Sequence, residues 1–271
     1  MKLLPSLRLP TLPGPWPIFG EKPGPSDIDL LDTARKTGRI MAGVEALSRK
    51  YVLRNIARYE RLAARARSVS GVSVFGENVD RKRLAELSRA VADLRDFFLA
   101  LEKKRPGVRR SLGKRLAALK EMEEALARAR QKEERFKQSL ARSLEHAKTR
   151  LSGPERAIRC EAVTLRIALC EKRIGMIAGF AQKHAAARPA LEKAGETIER
   201  FAFAVAENAR LYDEAARTLA MRRDILDAFG ARDRDARSSF FAIGREAEEE
   251  FRRFRDVETL LLEAARESGD S

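Results

Sequence analysis

Leu84, Leu87, Val91, Leu94, Phe98 and Leu101 follow one another at spacings of three and four residues. Side chains at that period stay together only on one stripe of an α-helix, so this segment is a helix with a seam made to meet another helix. The same period returns at Leu112, Leu116, Leu119, Met122 and Leu126, then at Phe136, Leu140, Leu144, Ala147 and Leu151. Strand-like alternation is nearly absent, and the aromatic share of 6% against a charged share of 35% is the balance of long helices. The expected fold class is all-α: long kinked antiparallel helices forming a coiled-coil bundle.

Proline and glycine divide the chain. Seven of the ten prolines lie within the first 25 residues, which sets apart an apolar arm, residues 1–26, from an elongated helical domain expected over 27–267 and a disordered tail over 268–271. Ser26, ahead of the acidic SDIDLL, is the expected N-cap of a first helix running to about Ser68. SGVSVFGENVD then breaks the pattern, and Asp80 can cap the next helix. Pro106-Gly107 interrupts the long seam, which we read as one kinked rod, on the order of 100 Å if continuous at 1.5 Å per residue. Ser152–Glu155 ends it, with Pro154 in a first-turn position where a missing amide donor costs little. Pro189 is expected to kink the following helix and Gly230 to stop it.

That following helix carries two overlapping apolar stripes. Val163, Ile167, Cys170, Ile174 and Ile177 make one; Ala162, Leu165, Leu169, Met176 and Phe180 make the other. A helix apolar on more than one face needs cover on more than one side. A second copy is the expected cover, with Val163, Ile167, Ile174 and Ile177 at a homodimer interface.

The charge is strongly positive: 55 Lys and Arg against 40 Asp and Glu, net +15 with a pI near 10.2. A polyanionic partner follows from that imbalance. At ~100° per residue, Lys36, Arg39, Lys50, Arg54, Arg58, Arg61 and Arg65 fall within roughly 60° either side of one direction on the first helix. Between Arg49 and Arg67 the only acid is Glu60. KKRPGVRRSLGKR adds Lys103, Lys104, Arg105, Arg109, Arg110, Lys114 and Arg115 with no acid among them. A basic stripe is most often a solvated surface, and the acidic run Glu246–Glu250 near the C-terminus is a candidate mask for it.

Nothing points to an enzyme. His146 and His184 stand without a partnered Ser or Cys motif and read as solvent-facing; no GxGxxG, GxxxxGKS or HExxH occurs. Cys160 and Cys170 lie ten apart, outside zinc spacing, and read as small hydrophobes of a reducing cytoplasm. No cofactor and no metal are expected. For nucleic acid the charge is suitable, yet no helix-turn-helix or zinc module is visible and few aromatics could stack bases.

The arm favours a membrane. Leu3, Leu4, Leu7, Leu9, Leu12, Trp16, Ile18 and Phe19 are groups that enter the headgroup boundary, while its prolines forbid the continuous helix of a secretory signal. No other uncharged run approaches the ~18–20 residues of a spanning helix. The expectation is a cytoplasmic protein, peripheral at a membrane.

An apolar amino-terminal arm, a basic first helix, two long kinked helices with basic bends and an over-apolar central segment together resemble a BAR-domain protein with an N-terminal insertion, over about residues 1–229. KYVLRNIARYERLAARARSVSGVSVFG is similar to the first-helix ending of the fungal eisosome core proteins, which are BAR proteins. The resemblance implies an antiparallel, crescent-shaped homodimer that binds anionic phospholipid through its basic concave face, shapes the membrane, and can assemble into a coat or tubule lattice. Two other readings stand beside it: a membrane-associated helical polymer similar to PspA or ESCRT-III, and a basic coiled-coil adaptor or nucleic-acid binder.

Overall fold

The computed structural model describes residues 28–70, 81–218 and 223–267. Among these there are seven α-helices and no strand: α1 (Leu30–Ser48), α2 (Arg54–Ser70), α3 (Arg81–Glu102), α4 (Arg105–Arg150), α5 (Gly153–His184), α6 (Ala187–Thr218) and α7 (Arg223–Glu267). The arm with its eight insertion residues, residues 71–80 of the SGVSVFGENVD segment including Asp80, and the tail lie outside the described residues.

α1 is capped by Asp29, whose Oδ1 accepts from the Asp32 amide at 3.0 Å, so the cap is Asp29 and not Ser26. Asp29 is extended at φ −90° and ψ 107°, the backbone from which a side-chain oxygen reaches the amide three residues on. α1 passes into α2 without a break through a π-turn, Arg49–Leu53. A π-turn leaves carbonyls short of α-helical partners. Asn55 answers two of them, its Nδ2 donating to the carbonyls of Tyr51 (2.8 Å) and Lys50 (3.2 Å).

The chain divides into two compact units, one of Asp27–Arg130 with Lys172–Ser271, the other containing Gln131–Glu171. In the larger unit α3 packs on α2 and α6, and α7 on α1 and α6. Its core has two parts. Tyr59, Leu94, Phe98, Phe201, Val205, Tyr212 and Phe240 centre the first, where Phe98 stacks on Tyr212 at 5.1 Å and Tyr59 meets Phe240 edge-on at 5.0 Å. Met41, Val44, Leu119, Leu126, Phe180, Leu191, Phe251, Phe254 and Leu261 make the second. Each fully buried side chain of this kind contributes about 1.5–3 kcal/mol by leaving water. In the smaller unit Leu140 of α4 packs with Val163 and Cys170 of α5, flanked by Phe136, Leu144 and Ile167.

Three sequence expectations about breaks are corrected. The seam through Pro106-Gly107 is not one continuous rod: α3 ends at Glu102, and Lys103 and Lys104 form a turn. Pro106 is then the second residue of α4, where its absent amide is no loss. Likewise α5 stops at His184 and Pro189 sits in the first turn of a new helix, α6, so it follows a break and kinks nothing. Gly230 lies inside α7 and stops no helix. A helix-interior glycine costs only about 1 kcal/mol relative to alanine, and a 45-residue helix packed along one side overrides it. The turn at Gly153 is a true glycine position, with φ of 63°.

Candidate polyanion-binding edge

The two basic concentrations that sit about 50 residues apart in sequence belong to one edge of the larger unit. Arg65 meets Asp93 at 3.6 Å, and the Arg58 guanidinium lies 5.3 Å from the Phe97 ring centre. Arg115 reaches across α1 at Gly43, where an added Cβ would sit 2.6 Å from its Nε, and Thr37 Oγ1 lies 3.9 Å from Met122 Sδ. In these pairs one number falls as the other rises. The α1–α2 rod therefore runs antiparallel to α3 and the first part of α4, in a constant register. That register puts Arg54 level with Lys103 and Lys104, and the π-turn level with Arg105–Val108. The electrostatics of Tyr51 agree. Burial pushes its hydroxyl up to about 12 against the pull of Arg105, while Glu199 and Glu102 add to the rise.

Of the fourteen predicted basic residues, four are held by carboxylates: Lys36 by Asp32, Arg65 by Asp93, and both Arg105 and Arg109 by Glu199 at 3.5 and 2.9 Å. The other ten, Arg39, Lys50, Arg54, Arg58, Arg61, Lys103, Lys104, Arg110, Lys114 and Arg115, meet no carboxylate among the described residues. All of these are exposed except Arg115, which is half-buried and donates to the Ser111 carbonyl at 3.0 Å and to the Ser111 hydroxyl. The mask foreseen in Glu246–Glu250 is elsewhere: Glu246 pairs with Arg200, and Glu250 is buried against Thr197. Glu199 of α6 does that work. No sequence pattern marks it, because the identity of the helix beside the α3–α4 turn is not in the local pattern.

The residues expected at a dimer interface are placed differently. Val163 and Ile177 are buried by their own chain, and Ile167 and Ile174 are half-buried. The open face of α5 is the first part of the other stripe, Leu165 at 61% and Leu169 at 53% exposed, continued toward the N-terminus by Ile158 at 60%, whereas Phe180 of that stripe is buried.

Two buried polar clusters escaped the sequence reading. Asp233 accepts from Tyr59 Oη at 2.5 Å and Tyr212 Oη at 3.0 Å through Oδ1, and from Arg67 Nη1 at 2.8 Å through Oδ2. Burial foremost raises both tyrosines well above their ordinary range, followed by the Asp233 carboxylate at Tyr59 and by Tyr59 and then Asp233 at Tyr212. His146 is exposed as expected, whereas His184 is only 1% exposed, 2.9 Å from Thr37 Oγ1 through Nε2. Its Nδ1 has no partner among the described residues, and burial holds its pKa below the ordinary value. Among the described residues no group of three His, Cys, Asp or Glu is placed to hold a metal ion, and no helix is long and apolar enough to cross a membrane.

No protein-family profile matches this chain, and no curated protein or solved structure matches it either.

Proposed function

We propose that this protein is a membrane-adhering helical scaffold that binds anionic phospholipid through the α1–α2 and α3–α4 edge, inserts its apolar arm at the headgroup boundary, and works as an assembly of copies. The observation that supports this most is the row of ten cations without carboxylate partners along one antiparallel pair of rods. Fixed helices hold such a row in place, so it meets a broad anionic surface at many points with little ordering cost. A curved homodimer of BAR type that imposes or senses curvature, and can extend into a coat or tubule lattice, is the finer form of the same proposal. Arg and Lys along a rod also suit duplex phosphates, and the test separates the two partners.

The test is co-sedimentation with anionic and neutral vesicles beside a duplex-DNA shift assay. Arg54→Gln, Lys103→Gln and Lys104→Gln together should weaken anionic-vesicle binding by roughly a hundredfold, at about 1 kcal/mol for each cation near the surface. Arg105→Gln with Arg109→Gln should weaken it as much per residue, because Glu199 is left as an unpaired anion at the edge when they go. Loss of residues 2–20 should weaken binding to both edge variants and the parent chain. Binding indifferent to lipid charge, or a DNA shift with no vesicle binding, refutes the reading.

A further inference from the structure

One face of α5 is closed by α4 and the opposite face is bare. Ile158, Ala162, Leu165 and Leu169 follow at four, three and four residues, a ridge about 17 Å long at 1.5 Å per residue. Arg159 and Arg166 border it along one edge, and no described carboxylate pairs with Arg166. An exposed apolar seam at heptad spacing is the form a helix takes when it has a helix-lined partner.

The larger unit offers a matching recess. Between α6 and α7 runs a groove of about 980 Å³ whose walls extend over Glu199–Leu211 and Asp235–Glu246. That is about 17–18 Å along each helix, the length of the ridge. Its floor is Ala204, Ala236 and Ile243, and at its mouth Phe203 stands 61% exposed. The cations lining it, Arg105 and Arg200, are each taken by a lining acid, Glu199 and Glu246. Glu207 and Asp235 remain exposed and unpaired among the described residues, so the rim carries net negative charge to meet the Arg166 edge of the ridge, while Glu161 lies along the ridge's other edge.

We propose that the α5 ridge of one copy seats in the α6–α7 groove of a second copy. Leu165 and Leu169 pack beside Phe203, and Arg166 faces the Glu207–Asp235 rim. Ridge and groove are different surfaces, so each bound copy still presents one of each. The contact is heterologous and extends head to tail unless it closes into a ring. It needs no lipid and stands apart from the proposal above.

The experiment is sedimentation velocity on the full chain over a dilution series without lipid, with far-UV circular dichroism as the check that each variant is folded. The parent chain should grow beyond a dimer as its concentration rises. Leu165→Glu and Phe203→Glu, both surface changes, should each hold it as a monomer. Arg166→Glu and Glu207→Arg should each assemble poorly alone and recover when mixed in equal amounts, since only the mixture has opposite charges in every contact. A parent chain that stays monomeric, or a mixture that fails to recover, overturns the proposal. So does a discrete dimer lost in Leu165→Glu but kept in Phe203→Glu, which would mean that α5 stripes pair with each other.

Discussion

Asp233→Ala is the sharpest probe of what holds the larger unit together. The carboxylate is 4% exposed and takes a phenolic hydroxyl and a guanidinium from α2 and a second phenolic hydroxyl from α6. A hydrogen bond to a charged group contributes about 1.5–3 kcal/mol, so orphaning the two buried hydroxyls costs about 3–6 kcal/mol. The Arg67 contact adds little, because that side chain is about a third exposed and water replaces its partner at a cost under ~1 kcal/mol. Losses on breaking a buried charged pair reach about 3–5 kcal/mol, which caps that sum, so the expected loss is about 3–5 kcal/mol. At about 2–4 °C per kcal/mol for a unit of this size, the melting temperature should fall by about 6–20 °C. Thermal unfolding followed by circular dichroism at neutral pH reads it directly. Tyr212→Phe, which removes one donor and leaves the carboxylate two, should cost about half as much. A melting temperature for Asp233→Ala within about 2 °C of the parent, or a Tyr212→Phe loss equal to it, refutes the reasoning.

Four further outcomes are expected. Burial lowers the His184 pKa from 6.5, so the unfolded chain takes up this proton first. His184 stability is then full above that ordinary value and lost as pH falls through it; His184→Leu should flatten this part of a melting-temperature profile measured against pH. Burial raises the Glu250 pKa from 4.5, so its contribution is full below that value and lost as pH rises through the folded one. Glu250→Gln should raise the melting temperature at neutral pH, with a gain that shrinks on acidification; an unchanged gain at every pH counts against it. Gly153→Ala should cost about 1 kcal/mol for its left-handed backbone and Gly153→Asn less, read from the melting of each variant. Asn55→Ala should cost about 1 kcal/mol, with faster amide exchange confined to the residues of the π-turn.

The helices and most of their inward faces were legible from spacing alone. Leu87, Val91, Leu94, Phe98 and Leu101 are all buried, as are Leu112, Leu119 and Leu126. Period is a local property, and a core stripe needs no knowledge of which helix covers it. What spacing misses is whatever depends on the covering helix. On the sequence Arg105 and Arg109 look as bare as Lys103 and Lys104, until Glu199 arrives from about 90 residues away. His184 read as a surface residue because its neighbours are charged, yet Thr37, 147 residues earlier, takes it into the core. The two stripes of α5 were both visible, but deciding which one α4 would claim required the partner, and it claimed the stripe assigned to a second copy. Breaks failed for a related reason: Gly230 weakens a helix locally, while the packing of α7 acts over many turns, with buried residues from Asp233 to Ala265.

The π-turn at Arg49–Leu53 makes the first rod one residue longer than a plain α-helix would need to bring Tyr51 and then Ile56 onto the same inward side. Losing one residue there, Lys50 for instance, would turn the wide loop into an ordinary one and leave Tyr59, Ala63 and the arginines beyond them facing as they do now. The same loss at Ala46 or Arg61 would swing everything downstream, up to the end of the helix, by about 100° and aim arginines at the core. The rod thus has a single place at which its length can vary without its sides changing identity, and that place is level with the start of α4 on the neighbouring rod.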